Sequence, residues 1–280
     1  MRCRLLNPLA TERVPMKDEA DLRLTPILSA SQVTKRFGAL VAVDHVDFQV
    51  VANEVVGILG SNGAGKTTFF NLLTGMFFAD EGVIQFKCDD ITRLAPTKRV
   101  GRGLIRSFQL TSTFDTLTVI DNLALAWFRA HRGIGLNRLL RTRMARLNTE
   151  PDVQEALEMF DLGGIRSRLV QNLSLGEKRR LEIAMSMLAR PEVLLLDEPL
   201  AGLAESEIRG VLGVLRQQMG RLTIVMVEHK ISHIEEFVQR VVVMHEGRVI
   251  SSGTYAECMR QPEVRRSYWQ IETPELEPIV

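Results

Sequence analysis

One glycine-rich segment constrains this chain more than any other stretch. It reads Gly60-Ser61-Asn62-Gly63-Ala64-Gly65-Lys66-Thr67-Thr68 and fits the pattern G-x-x-x-x-G-K-[ST]. The apolar residues 55–59 before it are typical of a strand, and the apolar residues 69–73 after it indicate the start of a helix. A strand, a glycine loop and a helix in this order form the context in which the pattern binds phosphate groups. The segment therefore predicts a phosphate-binding loop, the P-loop, in an α/β fold.

The residue types of this loop suit the phosphate groups of a nucleotide. Its glycines allow the backbone to wrap phosphate oxygens with N–H groups, and the N-terminus of the following helix adds a favourable dipole. Lys66 is placed for the β- and γ-phosphates, and the Thr67 hydroxyl is placed for a magnesium ion. The alternative is a chance glycine turn, which the matching context and spacing disfavour. We expect the nucleotide to be bound by Gly60, Ser61, Asn62, Gly63, Ala64, Gly65, Lys66, Thr67 and Thr68.

A second motif, the Walker B strand, reads Val193-Leu194-Leu195-Leu196-Asp197-Glu198. Its nearly continuous apolar run is typical of a parallel strand that is buried on both faces. A carboxylate at the end of such a strand reaches the magnesium ion, and Asp197 fits that role. Glu198 is then placed to orient the attacking water. The alternative is a buried strand that ends in an ordinary exposed acidic pair, which the presence of a P-loop disfavours.

The order of motifs along residues 28–249 resembles the ATP-binding-cassette (ABC) ATPases. Five motifs occur in the family's order, and together they are highly specific. They are the P-loop, Gln109, the signature motif Leu173-Ser174-Leu175-Gly176-Glu177, the Walker B motif Leu194-Leu195-Leu196-Asp197-Glu198-Pro199 and Glu228-His229.

The resemblance implies a role for each matching residue. Phe37 is expected to stack on adenine, the alternative being a plain core residue of an edge strand. Gln109 is expected to touch the metal and the attacking water, and His229 to contact the γ-phosphate. Ser174 and Gly176 are expected to grip the γ-phosphate of ATP in an opposite subunit. The resemblance thus implies catalytic residues Glu198, His229 and Gln109, metal contacts from Thr67, Gln109 and Asp197, and the cofactors ATP and Mg²⁺.

The resemblance also implies the architecture. We expect a P-loop ABC cassette with a mostly parallel core sheet, an antiparallel β subdomain and a helical subdomain that carries the signature motif. The cassette is predicted over residues 28–255, with its helical subdomain over about 111–187. Residues 1–27 mix charge, proline and isolated apolar residues without a period, which favours a disordered tail. Residues 256–280 are predicted to form a C-terminal tail.

Three positions in two motifs depart from the family pattern. Leu175 stands where the signature usually has glycine, and Glu177 stands where it often has glutamine. Ala204 stands where many cassettes have aspartate and some importers have asparagine, so it removes a polar contact that normally crosses the dimer. We expect activity to survive Leu175, whereas Ala204 places the coupling of the two ATP sites in doubt.

Composition excludes some classes of function. The formal net charge of +1 lacks the basic excess of a nucleic-acid-binding protein, so no nucleic acid is expected as a partner. No apolar run approaches the roughly 20 residues that span a bilayer. If the protein works at a membrane, separate subunits must supply the pore.

Several runs are similar to the branched-chain amino-acid importer ATPases, among them residues 35–43, 103–109 and 179–184. The resemblance implies a second cassette, two transmembrane permease subunits and, indirectly, a solute-binding protein as partners, at the cytoplasmic face of the plasma (inner) membrane. Urea or amide import and lipopolysaccharide export stay open as alternatives. So does a soluble cassette protein acting outside transport, although those usually carry two cassettes or a long coiled coil.

The segment after Gln109 is the predicted docking groove for a cytoplasmic helix of a permease. Its apolar residues either line that groove or are buried within the helical subdomain, and the sequence does not decide between the two. They are Phe114, Leu117, Val119 and Ile120.

Overall fold

The computed structural model describes residues 25–107, 113–132, 144–228 and 234–269. In chain order these form ten strands: β1 (Pro26–Phe37), β2 (Leu40–Val51), β3 (Val55–Leu59), β4 (Glu81–Phe86), β5 (Asp89–Asp90), β6 (Leu104–Ser107), β7 (Val193–Asp197), β8 (Thr223–Val227), β9 (Arg240–His245) and β10 (Arg248–Gly253). The α-helices of the same residues are α1 (Lys66–Thr74), α2 (Pro96–Val100), α3 (Val119–Arg132), α4 (Met144–Leu147), α5 (Pro151–Met159), α6 (Leu175–Met187), α7 (Glu205–Arg216), α8 (Tyr255–Arg260) and α9 (Pro262–Trp269).

A six-stranded sheet in the order β10-β9-β3-β8-β7-β6 forms the centre of the fold. Its five strands from β9 to β6 are parallel, and β10 pairs antiparallel with β9 at the edge. The strands β3, β7 and β8 are buried at every residue, as their continuous apolar runs predict for a parallel sheet covered on both faces.

The two faces of this sheet lie in different hydrophobic cores, because side chains alternate along a strand. Leu194 and Leu196 pack with the helices α3 to α7, whereas Val193 and Leu195 pack with α1 and the second sheet. This second sheet is antiparallel, in the order β2-β1-β4-β5. The helical part comprises α3, α4, α5 and α6, with 3-10 turns at Gly163–Ile165 and Val170–Asn172. The predicted α/β fold, with its mostly parallel core sheet, antiparallel β part and helical part, is confirmed.

The predicted domain limits meet the structure as follows. Residues 1–24 of the predicted N-terminal tail lie outside the described residues, and β1 begins at Pro26. The predicted C-terminal tail includes most of α8 and all of α9. The division into domains stays a prediction. Across the described residues, none of the helices combines the length and apolar character that crossing a membrane needs.

Two of the four apolar groove candidates lie in the hydrophobic core. Val119 is fully buried and Ile120 is 7% exposed, both among the helices on one side of the central sheet. Phe114 is 55% exposed, and Leu117 is partly exposed. The structure therefore decides the open alternative: Val119 and Ile120 are buried in the subdomain, and Phe114 remains available at the surface.

Candidate functional site

The P-loop segment occupies the turn between β3 and α1. Two of its glycines are required by close backbone contacts. A Cβ on Gly60 would lie 2.3 Å from the carbonyl oxygen of Met244, and a Cβ on Gly65 would lie 2.4 Å from that of Ala42. Gly65 also has φ +93°, which L side chains rarely adopt. The loop is thus held close to β9 and β2 and delivers Lys66 to the first turn of α1.

The Lys66 side chain lies inside this loop. Its ammonium group donates hydrogen bonds to the carbonyl oxygens of Gly60, at 2.7 Å, and Ser61, at 2.8 Å. Burial lowers the pKa of Lys66, while the negative charges of Glu198 and Asp197 oppose that shift. The fold therefore brings the predicted phosphate-binding lysine close enough to both predicted carboxylates for their charges to act on it.

Asp197 is the last residue of β7 and is 1% exposed. Its Oδ2 accepts a hydrogen bond from Nη2 of Arg106. Arg106 also donates from Nη1 to Oδ1 of Asn71 at 2.6 Å, and its guanidinium carbon lies 5.8 Å from the centre of the Phe70 ring. Three contacts thus fix the guanidinium group beside the carboxylate.

The other carboxylate oxygen of Asp197, Oδ1, is buried and accepts no hydrogen bond. A buried polar atom without a partner is costly, so an acceptor in this state suits a cation or an ordered water molecule. Together with the Thr67 hydroxyl in the first turn of α1, it offers the hard oxygen ligands that Mg²⁺ prefers. Among the described residues no group of three or more His, Cys, Asp and Glu side chains is arranged to hold a metal. Proteins usually bind Mg²⁺ through one or two carboxylates together with the phosphates of a substrate.

Glu198 has an unusual backbone for a residue with a side chain. Its φ is +47°, in the left-handed region. Its N–H donates to the carbonyl oxygen of Val227 at 2.9 Å, and its own carbonyl accepts from the N–H of Ala201 at 3.2 Å. The turn redirects the chain at the end of β7, so Glu198 stands next to Asp197 at the same edge of the sheet. Strained backbone of this kind concentrates at functional sites.

The loop after β7 is anchored by Glu228, which follows β8 directly. Glu228 is 2% exposed, and its Oε1 accepts a hydrogen bond from the backbone N–H of Leu200 at 2.7 Å. The neighbouring strands β7 and β8 are therefore joined beyond their ladder by a buried carboxylate. The predicted site residues His229 and Gln109 lie outside the described residues.

Ser174 and Gly176 form the N-terminus of α6. Ser174 is the N-cap: its hydroxyl accepts from the N–H of Glu177 at 3.2 Å, and the Glu177 carboxylate accepts from the N–H of Ser174 at 2.8 Å. This reciprocal pair is a capping box, and it satisfies two otherwise unpaired N–H groups of the first turn. Leu175 is 42% exposed and Glu177 serves the cap, so the two departures within residues 173–177 are accommodated at the helix start.

Phe37 ends β1 with its side chain 45% exposed. Phe77 packs edge-on against it with 5.4 Å between ring centres, and Nζ of Lys35 lies 5.5 Å from the centre of the Phe37 ring. An aromatic ring with this much free surface disfavours the alternative of a plain core residue.

Three residues of this region were missed as functional candidates: Arg106, Glu207 and Glu228. Arg106 lies in β6, within the run 103–109 that resembles the family, but no local pattern shows that it pairs with Asp197, 91 residues away. Glu207 contacts Ser174 across 33 residues. Such pairs follow from the packing of strands and helices and leave no periodic signal in the sequence.

Comparison with known proteins gives the same picture. The family model described as ABC transporter matches residues 43–201. The chain is 34% identical over 249 residues to the high-affinity branched-chain amino acid transport ATP-binding protein BraF of Pseudomonas aeruginosa, covering 87% of this chain and 97% of that protein. It is 33% identical to the lipopolysaccharide export system ATP-binding protein LptB of Haemophilus influenzae, covering 86% of this chain and 96% of that protein.

Solved structures agree with these similarities in sequence. The chain superposes on the ADP conformation of MJ1267, an ATP-binding cassette of an ABC transporter, with a TM-score of 0.75 and 28% identity. The match covers 88% of this chain and 100% of that one, so the likeness in fold extends over the whole of the compared cassette.

Proposed function

Because this chain belongs to the ABC transporter family, we propose that it is the ATP-binding and ATP-hydrolysing subunit that powers a multi-subunit importer. The observation that supports this most is the convergence at one sheet edge of Lys66, Asp197 and Glu198, with one Asp197 oxygen unpartnered. A cation, a metal-suited carboxylate and a second carboxylate next to it are the parts that phosphoryl transfer to water needs.

In the proposed reaction, Lys66 and the N–H groups of the loop support the negative charge of the transferring γ-phosphoryl group. Thr67 and Asp197 hold Mg²⁺, which neutralises charge on the phosphates when bound. Glu198 orients the attacking water and accepts its proton. The lysine leaves its bonds to the carbonyls of Gly60 and Ser61 as it turns toward the β- and γ-phosphates.

Residues outside these contacts complete the proposed site. Phe37 stacks on adenine with its exposed ring. Gln109 and His229 are assigned to the metal, the water and the γ-phosphate by their place in the family's order of motifs. Ser174 and Gly176 grip the γ-phosphate held by a second cassette, so ATP joins two cassettes and its hydrolysis loosens them.

The proposed transported solute is a branched-chain amino acid, supported by the similarity to BraF over most of both chains. Two permease subunits and, indirectly, a solute-binding protein complete the proposed importer, with this chain at the cytoplasmic face of the inner membrane. Lipopolysaccharide export is a second candidate, because similarity to LptB covers nearly the same share of this chain. Substrate choice belongs to the membrane and binding subunits, and urea or amide import stays an alternative on the same ground.

The catalytic assignment is tested with Glu198→Gln. We expect this variant to bind MgATP as tightly as the wild type and to lose steady phosphate release, because Lys66 and the Asp197 oxygens remain while the water loses its orienting base. Glu205→Gln is the matched control, since it removes an equal charge from the start of α7. Near-normal phosphate release by Glu198→Gln would refute the assignment.

The transport assignment is tested by purifying the chain with its membrane partners and reconstituting the complex in liposomes with candidate binding proteins. Leucine, isoleucine or valine should stimulate ATP turnover. If only urea or another solute stimulates ATP turnover, the substrate assignment would be refuted and the importer assignment would stand. If no permease copurifies with the chain, the transport assignment would be refuted and the soluble alternative favoured.

A further inference from the structure

The Glu207 carboxylate joins the first turns of two helices, α6 and α7. Its Oε1 accepts hydrogen bonds from the Ser174 hydroxyl at 2.8 Å and from the backbone N–H of Gly176 at 3.0 Å. Its Oε2 accepts from the backbone N–H of Ala204 at 3.1 Å. The carboxylate is therefore held by three donors. Two of them lie at the start of α6, the helix that carries the signature motif, and are 31 to 33 residues away in sequence.

These two donors on α6 are the groups that, under the proposed function, grip a phosphate in the opposite cassette. Helix N-termini attract anions because their N–H groups are unpaired and their dipole is positive there. The approach at this end is close: a Cβ added to Gly176 would lie 2.8 Å from Oε1 of Glu207. One Glu207 oxygen thus fills the position at which an anionic ligand would accept the same hydrogen bonds.

The contact at Ala204 explains how the carboxylate can leave α6 without losing all of its partners. Ala204 is the N-cap of α7 and has no polar side chain to cap this helix. Glu207, three residues later, accepts from its N–H through Oε2 alone. A rotation that withdraws Oε1 from Ser174 and Gly176 can keep the bond to Ala204, so α7 stays capped while the end of α6 opens.

We propose that Glu207 is an internal competitor for the anion site at the start of α6, and that it must withdraw before the signature helix can take a phosphate from another cassette. This inference rests on the proposed function. The competition raises the ATP concentration at which two cassettes associate, since each phosphate displaces a carboxylate already bound. Charged groups near the contact are Glu177, Arg168 and Arg180, of which Arg168 is paired with Glu177 at 3.0 Å.

The first test uses inorganic phosphate as the probe on the full chain, at constant ionic strength. The backbone amide signal of Gly176 is followed by NMR in the wild type, Glu207→Gln and Glu207→Ala. We expect half-saturation at a phosphate concentration at least about tenfold lower in both variants, equivalent to about 1.4 kcal/mol. Glu205→Gln, which removes a charge from the same turn of α7 while leaving Glu207 in place, should behave as the wild type.

Each other outcome of this titration contradicts the inference. Equal phosphate midpoints in all four chains, or a Gly176 signal that responds in none of them, would overturn it. A response of equal size in Glu205→Gln and Glu207→Gln would reduce the effect to general charge and would also overturn it. Glu207→Gln keeps the shape of the side chain, so it gives a reading even if Glu207→Ala fails to fold.

The second test measures association with MgATP in the Glu198→Gln background by sedimentation velocity. Glu198→Gln/Glu207→Gln should associate at an ATP concentration about tenfold lower than Glu198→Gln alone. The backbone amide NMR signals of residues 60–68, followed while MgATP is added, test the proposed function independently. If those signals respond to MgATP while the midpoints of the phosphate titration are equal, nucleotide binding stands and the proposed role of Glu207 is wrong. If the signals do not respond to MgATP, the proposed function is wrong, and the phosphate titration still decides whether Glu207 occupies the anion site.

Discussion

Replacing Arg106 with glutamine should lower the free energy of unfolding by about 3 to 5 kcal/mol, because it leaves a buried carboxylate without its cation. The Asp197 side chain is 1% exposed and that of Arg106 is 12% exposed, so bulk water solvates this carboxylate poorly once its partner is lost. One Asp197 oxygen already accepts no hydrogen bond. The substitution therefore removes the contact on which the charge of the other oxygen depends.

The change should be large enough to see in a thermal or chemical unfolding experiment. For a domain of this size, 1 kcal/mol shifts the melting temperature by about 2 to 4 °C, so we expect a decrease of roughly 6 to 20 °C. The assay is equilibrium urea denaturation in the absence of nucleotide and magnesium. A lower urea midpoint with an unchanged slope of unfolding free energy against urea concentration would show that stability, and not the unfolded state, has changed.

A matched control is available at Arg102, which lies shortly before β6. Arg102 pairs with Asp89 at 3.2 Å, but both side chains are exposed, by 41% and 64%, so Arg102→Gln should cost about 0 to 1 kcal/mol. The double variant Arg106→Gln/Asp197→Asn should be less destabilised than the sum of its single variants by about 2 to 3 kcal/mol. Equal costs for Arg106→Gln and Arg102→Gln, or additive effects in the double variant, would refute the reasoning.

Other contacts carry four further predictions. Arg99→Met should destabilise the fold by at least about 2 kcal/mol in thermal unfolding. It leaves four backbone carbonyls, two of them in the last turn of α1, without their guanidinium donor. Lys66→Ala should weaken ATP binding by about 10- to 100-fold in titration calorimetry, because a charge-assisted partner of the phosphates is lost; unchanged affinity would contradict the P-loop assignment. Phe114→Asp should uncouple reconstituted transport while the isolated chain stays folded and active, whereas Val119→Asp, at a fully buried position, should unfold the helical part. Hydrogen bonds from the Ala204 N–H, the Ser174 hydroxyl and the Gly176 N–H hold the pKa of Glu207 below its ordinary 4.5. Its carboxylate therefore stabilises the fold above that pH, and this contribution is lost as the pH falls through the lowered pKa. In urea denaturation at a series of pH values, Glu207→Gln should reduce the loss of unfolding free energy at acidic pH.

The sequence by itself determined the elements that local chemistry defines. The P-loop was predicted because its glycines and lysine stand at fixed spacing between a strand and a helix. As expected, β3 ends at Leu59, directly before the motif, whereas α1 begins at Lys66, ahead of the apolar residues 69–73 that indicated its start. The apolar run at residues 193–197 predicted a strand that is buried on both faces, and this strand is buried at every residue. These features depend on backbone geometry and on the period of side chains along a strand, which are encoded over a few consecutive residues.

Only the tertiary structure decided which distant groups meet. Arg106 reaches Asp197 because β6 lies beside β7 in the central sheet, and Glu207 reaches Ser174 because α7 packs against α6. The same packing buries Val119 and leaves Phe114 at the surface, although both are apolar residues in one short segment. Strand order and helix packing are set by the burial of whole faces at once, so the partner of a single charge or the exposure of a single ring is a property of the assembled core and not of the residues around it in the chain.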